Sequence, residues 1–238
     1  MAQVDAIRNT LKVMDMDGLK QINQHIVKKA VENKAFENGT TDGYMVAAID
    51  GTKFFGSNKK NCLECLKNTK GEKSHCYHSG AVMSTVGIGP KLVIGFEMYK
   101  PGQDFISKDE GELSVGKRLI SDVVKSHRRL LDVIVYDALA CNSIWINHCK
   151  TLGIDAIVRA KNNNNNSLRL AKHTQIMIVT TCMDMTLKTI FKIIRARWDI
   201  ENSILNNLKN ECGLEHCFVH GGKAVEAVLY LIFICNYS

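Results

Sequence analysis

The chain has 238 residues, 45% of them hydrophobic and 23% charged, with a formal net charge of +7. That length and apolar content exclude a disordered chain and suit one large domain, or a core domain with short appendages. The basic excess favours a polyanionic partner, because lysine and arginine neutralise phosphates and release counterions; a merely soluble basic protein would carry the same charge.

In chain order, Val4, Ile7 and Leu11, then Leu19, Ile22 and Ile26, recur at helical spacing. They predict two short helices divided near Asp17-Gly18. Residues 1–43 are thus expected to form an N-terminal helical segment ahead of a domain over 44–238. ENGTTDG reads as a loop, and residues 44–49 as a first strand that Asp50 ends, with Gly51-Thr52 after it. Residues 56–75 are polar and read as irregular. SGAVMSTVG and KLVIGFEMY read as two strands joined by a turn at Gly89-Pro90. A charged amphipathic helix is expected over 108–130, and a strand over 132–136 that leads to Asp137. Residues 142–153 read as a helix stopped by Gly153, and DAIVRA as a strand. The run Asn162–Asn166 reads as a solvated loop, and QIMIVTT as a further strand. A long helix from Leu187 to Asn210 and an apolar one over 223–236 complete the chain.

Cys141, Cys149, Cys182 and Cys235 lie in or beside apolar runs and read as reduced, buried thiols rather than an oxidised secretory framework. Asp5, Arg8, Lys12 and Asp15 predict no signal peptide. The tail AVEAVLYLIFICNY is too short to span a bilayer and carries Glu226. The expected compartment is the cytoplasm, with no membrane partner.

Three strands, helix, strand, helix, strand, then helices is an order that resembles the ribonuclease-H-like fold: an α/β architecture with a mixed five-stranded sheet flanked by helices. In that fold the first and fourth strands run side by side, so Asp50 and Asp137 would end at one edge of the sheet. Glu201, on the late helix TIFKIIRARWDIENSILNNLKN, can approach the same edge. Taken singly, each acid reads as a turn residue or a solvated helix position. Jointly they can converge on a pair of divalent ions.

The blocks IDGT at 49–52, VYDAL at 135–139 and RWDIEN at 197–202 carry a closer likeness, supported by KDEGELSVGKRL and LKNECGLEHCFVH. They resemble the DDE transposases of bacterial insertion sequences, of the insertion-sequence-four type with a tyrosine-arginine-glutamate-lysine signature. Ile194 stands where the signature has tyrosine, and Leu208 where it has lysine, with Lys209 beside it. The β-rich insertion of such families is reduced here to about 162–184.

The resemblance implies Mg²⁺- or Mn²⁺-dependent cleavage of transposon ends and strand transfer, on double-stranded DNA, by a synaptic homodimer located on the nucleoid when DNA-bound. It assigns the two ions to Asp50, Asp137 and Glu201. Four residues are candidate DNA contacts. Arg197 can hold a phosphate or pair with Glu201 one turn away. Trp198 can stack on a base or sit in the core. Lys188 and Lys209 are phosphate contacts or ordinary surface lysines. The rivals are a truncated or inactive remnant that binds DNA without turnover, and another nuclease of this fold such as a resolvase.

Separately, Cys62, Cys65, Cys76 and His78 form a candidate zinc knuckle, since soft ligands at such spacing can hold a tetrahedral ion. The alternative is a loop with incidental thiols. His216, Cys217 and His220 also include metal-ligand types, but their place in the block after Glu201 favours packing.

Overall fold

A computed structural model describes residues 2–70, 73–102, 110–160 and 177–236, and its central element is strand β1 (Val46–Ser57). On one side β1 pairs antiparallel with β3 (Lys73–Thr85). The far edge of β3 is shared by β2 (Leu66–Lys70) and β4 (Val93–Met98), both antiparallel to it. On the other side β1 pairs in parallel with β5 (Val133–Tyr136), and β5 in parallel with β6 (Asp155–Ala160). Strand β7 (Met177–Thr180) closes that edge antiparallel to β6.

Among the described residues the sheet therefore has seven strands, not five. Its core order, β4-β3-β1-β5-β6, is the ribonuclease-H-like one, with β2 and β7 added. Strand β1 also runs well past Ile49, so Asp50 lies inside the strand rather than at its end. The stretch expected to be irregular is so only over 58–65; β1 runs on to Ser57, and β2 and the start of β3 take up much of the rest. Its apolar signal is weak: over 56–68 only Cys65 and Leu66 are buried, while Lys59, Lys60 and Lys67 are exposed.

Alternation along the strands sorts the core into two layers. Val46, Ala48, Val133 and Val135 pack with α5 (Leu187–Ala196), the segment after it, and α7 (Gly222–Cys235). Ala47, Ile49, Ile134 and Tyr136 pack with α3 (Glu112–Ser126) and α4 (Ser143–Thr151) on the opposite face. Helices α1 (Ala2–Val13) and α2 (Met16–Glu32) lie against α7. Their break falls at Met14-Asp15, before the expected Asp17-Gly18. The reason is local: the Asp15 carboxylate accepts from the Asp17 backbone N–H at 3.1 Å and caps α2.

The helix expected over 187–210 changes its winding part-way. After α5, residues Ile200–Leu205 are π-helical, and α6 (Asn206–Asn210) resumes the α pitch. The Asn206 N–H reaches back five residues to the Glu201 carbonyl. Such turns are rare and cluster at functional sites. Among the described residues no helix is long and apolar enough to cross a membrane. The asparagine run and most of the reduced insertion fall outside the described residues.

Candidate active site

Side-chain alternation aims the first acid. Val46 and Ala48 face the layer under α5, so Asp50 continues on that face, just beyond the last pair of β1 and β5. Strand β5 ends at Tyr136, and Asp137 follows it. Asp137 Oδ1 accepts from the Leu139 N–H at 2.7 Å, which caps the short turn Ala138–Ala140. Glu201 belongs to the π-helical segment, which is seated on the same face by Ile200, Ile204 and Leu205.

These acids feel one another. Burial pushes the Asp50 carboxyl up to about 7, and the Glu201 charge adds to the rise; Arg197 opposes it, and Glu112 and Asp137 add again. Among the described residues no three carboxylates have ligand oxygens all within 4.8 Å of one another. A two-ion site does not need that spacing: ions about 3.5–4 Å apart, each about 2.1 Å from its ligands, leave outer ligands roughly 8 Å apart.

A fourth acid joins from the other layer. Glu112, the first residue of α3, accepts a hydrogen bond from Tyr136 Oη at 3.0 Å. Burial raises its pKa, the Tyr136 bond opposes that, and Asp137 adds to the rise. Gly51 leaves the room for this approach. A Cβ there would stand 2.7 Å from Tyr99 Oη and 3.2 Å from the Glu112 carboxyl carbon. The sequence marked Glu112 only as part of a familiar helix. The available signals were its place at a helix start and the glycine beside Asp50.

Arg197 Nη1 donates to Glu201 Oε1 at 2.7 Å, so the intrahelical ion pair is formed. The guanidinium carbon also lies 4.8 Å from the centre of the Trp198 ring. Trp198 is 47% exposed, which removes the core role considered for it. Asp199, between Trp198 and the acid's turn, accepts from the Gly87 N–H at 2.9 Å and from Lys91 Nζ at 2.8 Å. It ties the helix to the turn between β3 and β4. Lys188 is exposed, and its charge acts on Asp42. Lys209 pairs with Glu215 at 3.0 Å. Leu208, at the signature lysine's place, is fully buried in the core. Adjacent helix residues point about 100° apart, so Lys209 cannot take over that direction.

One comparison covers most of the chain. Residues 42–236 match the family model described as the transposase DDE domain. The chain belongs to that family. A search of curated proteins returned no match. Among solved structures, the chain is similar to the piggyBac transposase, seen by cryo-EM in a synaptic complex with hairpin DNA. The identity is 12% and the TM-score 0.47, covering 80% of this chain and 47% of that one. The chain thus spans less than half the length of that transposase.

Within this DDE domain the cysteine-rich stretch also converges, though not as expected. Cys62, Cys65 and His78 come together, but the fourth member is His220, not Cys76. Cys76 is buried nearby on β3, outside the group. His220, set aside in the sequence as a packing residue, arrives from the segment between α6 and α7.

Proposed function

We propose that this DDE domain is the catalytic part of a transposase of the insertion-sequence-four type, bearing a variant of the tyrosine-arginine-glutamate-lysine signature. It acts on double-stranded DNA in the cytoplasm, as a dimer, by divalent-metal-dependent cleavage and strand transfer. The observation that carries this reading is the placement of Asp50 and Asp137, each two residues beyond the last parallel pair of β1 and β5, on the face where the Glu201 segment packs. Burial first, and then the charges of Glu201, Glu112 and Asp137, hold the Asp50 carboxyl above its ordinary value. Carboxylates brought together there form an oxygen-only donor set whose mutual repulsion a hard divalent cation would relieve.

Mg²⁺ or Mn²⁺ would be held by Asp50 together with Asp137 and Glu201. Such ions, when bound, activate the attacking oxygen and stabilise the leaving one. The chain's own residues do the rest. Arg197, ion-paired with Glu201 and opposing the rise of Asp50, balances their charge and offers a guanidinium to a DNA phosphate. Trp198, half exposed, presents a ring on which a base can stack. Lys188 and Lys209 add charge for the backbone. Glu112 and Tyr99, packed against Gly51, hold the strand beside Asp50 in place.

The test is nicking of supercoiled plasmid, and of DNA taken from the flanks of the coding frame, with Mg²⁺ or Mn²⁺. Asp50→Ala, Asp137→Ala and Glu201→Ala should each abolish nicking while gel-shift binding persists. Full activity in any one of them removes that residue from the site. Wild-type protein that binds DNA but never nicks it with either ion would support the inactive remnant instead.

A further inference from the structure

The group formed by Cys62, Cys65, His78 and His220 lies outside the acidic site and is not explained by it. Cys62 and Cys65 belong to the turn between β1 and β2, where the Cys65 N–H bonds to the Cys62 carbonyl at 3.3 Å. His78 is on β3, opposite Phe55 of β1. His220 comes from the far side of the chain, just before α7. All four ligand atoms lie within 4.8 Å of one another.

The spacing is that of a coordination shell. Cys62 Sγ is 3.4 Å from Cys65 Sγ and 3.3 Å from His78 Nε2. Cys65 Sγ is 3.4 Å from both His78 Nε2 and His220 Nε2. A zinc ion at about 2.3 Å from sulfur and about 2.0 Å from nitrogen, in a tetrahedron, sets ligand atoms roughly 3.3–3.8 Å apart. The sulfurs are too far apart for a disulfide, whose S–S bond is about 2.05 Å. Hydrogen bonding does not account for the group either. Each Nε2 has one proton or one lone pair, yet His78 Nε2 faces two sulfurs. One cation among them satisfies every ligand atom at once.

The surroundings need such a tie. Lys59, Lys60, Asn61 and Leu63 are exposed, so the turn has little apolar surface to bury. The Glu64 carboxyl fills the place that a Cβ on Gly222 would take, which sets the turn against the start of α7.

We infer that Cys62, Cys65, His78 and His220 form a structural zinc site that staples the extension of the Asp50 strand to the segment following the Glu201 helix. A closed four-ligand shell keeps no open position for substrate, so the ion holds structure rather than reacting. Its ligands join segments 155 residues apart, between Cys65 and His220. Binding there is therefore coupled to folding.

Metal content and cobalt spectra test this without any DNA substrate, so the outcome is independent of the catalytic reading. The whole chain, purified without chelator, should hold close to one zinc per molecule by elemental analysis. Cobalt replacement should give the strong visible bands of a tetrahedral ion with thiolate ligands. His220→Cys should keep one equivalent and increase the sulfur-to-cobalt charge-transfer band by about half, as two thiolates become three. Cys76→Ser should change neither reading. Wild-type protein with less than a tenth of an equivalent would overturn the site. So would a charge-transfer band left unchanged by His220→Cys, or zinc lost on Cys76→Ser.

Discussion

Asp50 and Asp137 each lie two residues past Ala48–Val135, the last parallel pair of β1 and β5. The pairs Val46–Val133, Ala47–Ile134 and Ala48–Val135 define the register, which leads both acids to the same end of the two strands. Both then continue the face that carries the Glu201 helix. The end of that pairing leaves Asp50 inside a strand on one side, held by its pair with Val82 of β3, and open toward the acids on the other.

The raised Asp50 carboxyl makes metal-free stability fall with pH. In the unfolded chain the group titrates near 3.8, and in the folded protein near 7. Between those values the folded state binds the extra proton, so stability is highest below pH 4 for this group and declines toward pH 7. The upper bound is about 4 kcal/mol, from 1.36 kcal/mol per unit. Glu112, also raised, pulls in the same direction. Asp50→Asn should flatten most of the slope and leave the metal-free protein more stable at pH 8. Urea melts from pH 4 to 8 measure both; parallel curves for the two proteins would contradict the shift.

Arg197 opposes that rise, so Arg197→Ala should move the stability midpoint of Asp50 to higher pH. It also leaves Glu201 without its 2.7 Å partner. The loss of stability should be about 1 kcal/mol, since the carboxylate remains partly in water. Arg197→Lys should restore the midpoint but not full nicking, because an ammonium lacks the guanidinium fork. An unmoved midpoint in Arg197→Ala would show that its charge does not reach Asp50.

Gly51→Ala tests the packing behind the first acid. The new Cβ would press on Tyr99 Oη and the Glu112 carboxyl, so one of them must move. A stability loss of about 1–3 kcal/mol is expected, typical of overpacking. Nicking should fall by more than that loss explains at saturating metal. Thermal melts and cleavage rates together check it, and wild-type values in both would show that the site yields freely.

Asp199→Ala should loosen the helix that bears Glu201. The carboxylate now satisfies the Gly87 N–H and Lys91, whose ammonium also reaches the Gly87 carbonyl. Losing these charge-assisted bonds should lower stability by about 1.5–3 kcal/mol. Hydrogen exchange should quicken in 85–92 and 197–205 together. Faster exchange in only one segment would mean that Asp199 does not couple them.

Much of this protein was legible in its residues alone. The short apolar runs YMVAAID and DVIVYD mark buried strands, and IDGT, VYDAL and RWDIEN carry the DDE likeness in short blocks. Local pattern also located the helices, with errors of a few residues where a cap such as Asp15 decided the start. The tertiary structure alone decided what distant segments do to one another. It ran β1 through Asp50, because β3 pairs with β1 from Ala47 to Lys53 and again from Phe55 to Ser57. It brought Glu112 beside Gly51 from the opposite layer. It chose His220 over Cys76, though Cys76 lies two residues from His78 in the same strand. Periodicity reports which face a side chain takes, but not which remote segment arrives there; that is settled when the helices pack on the sheet.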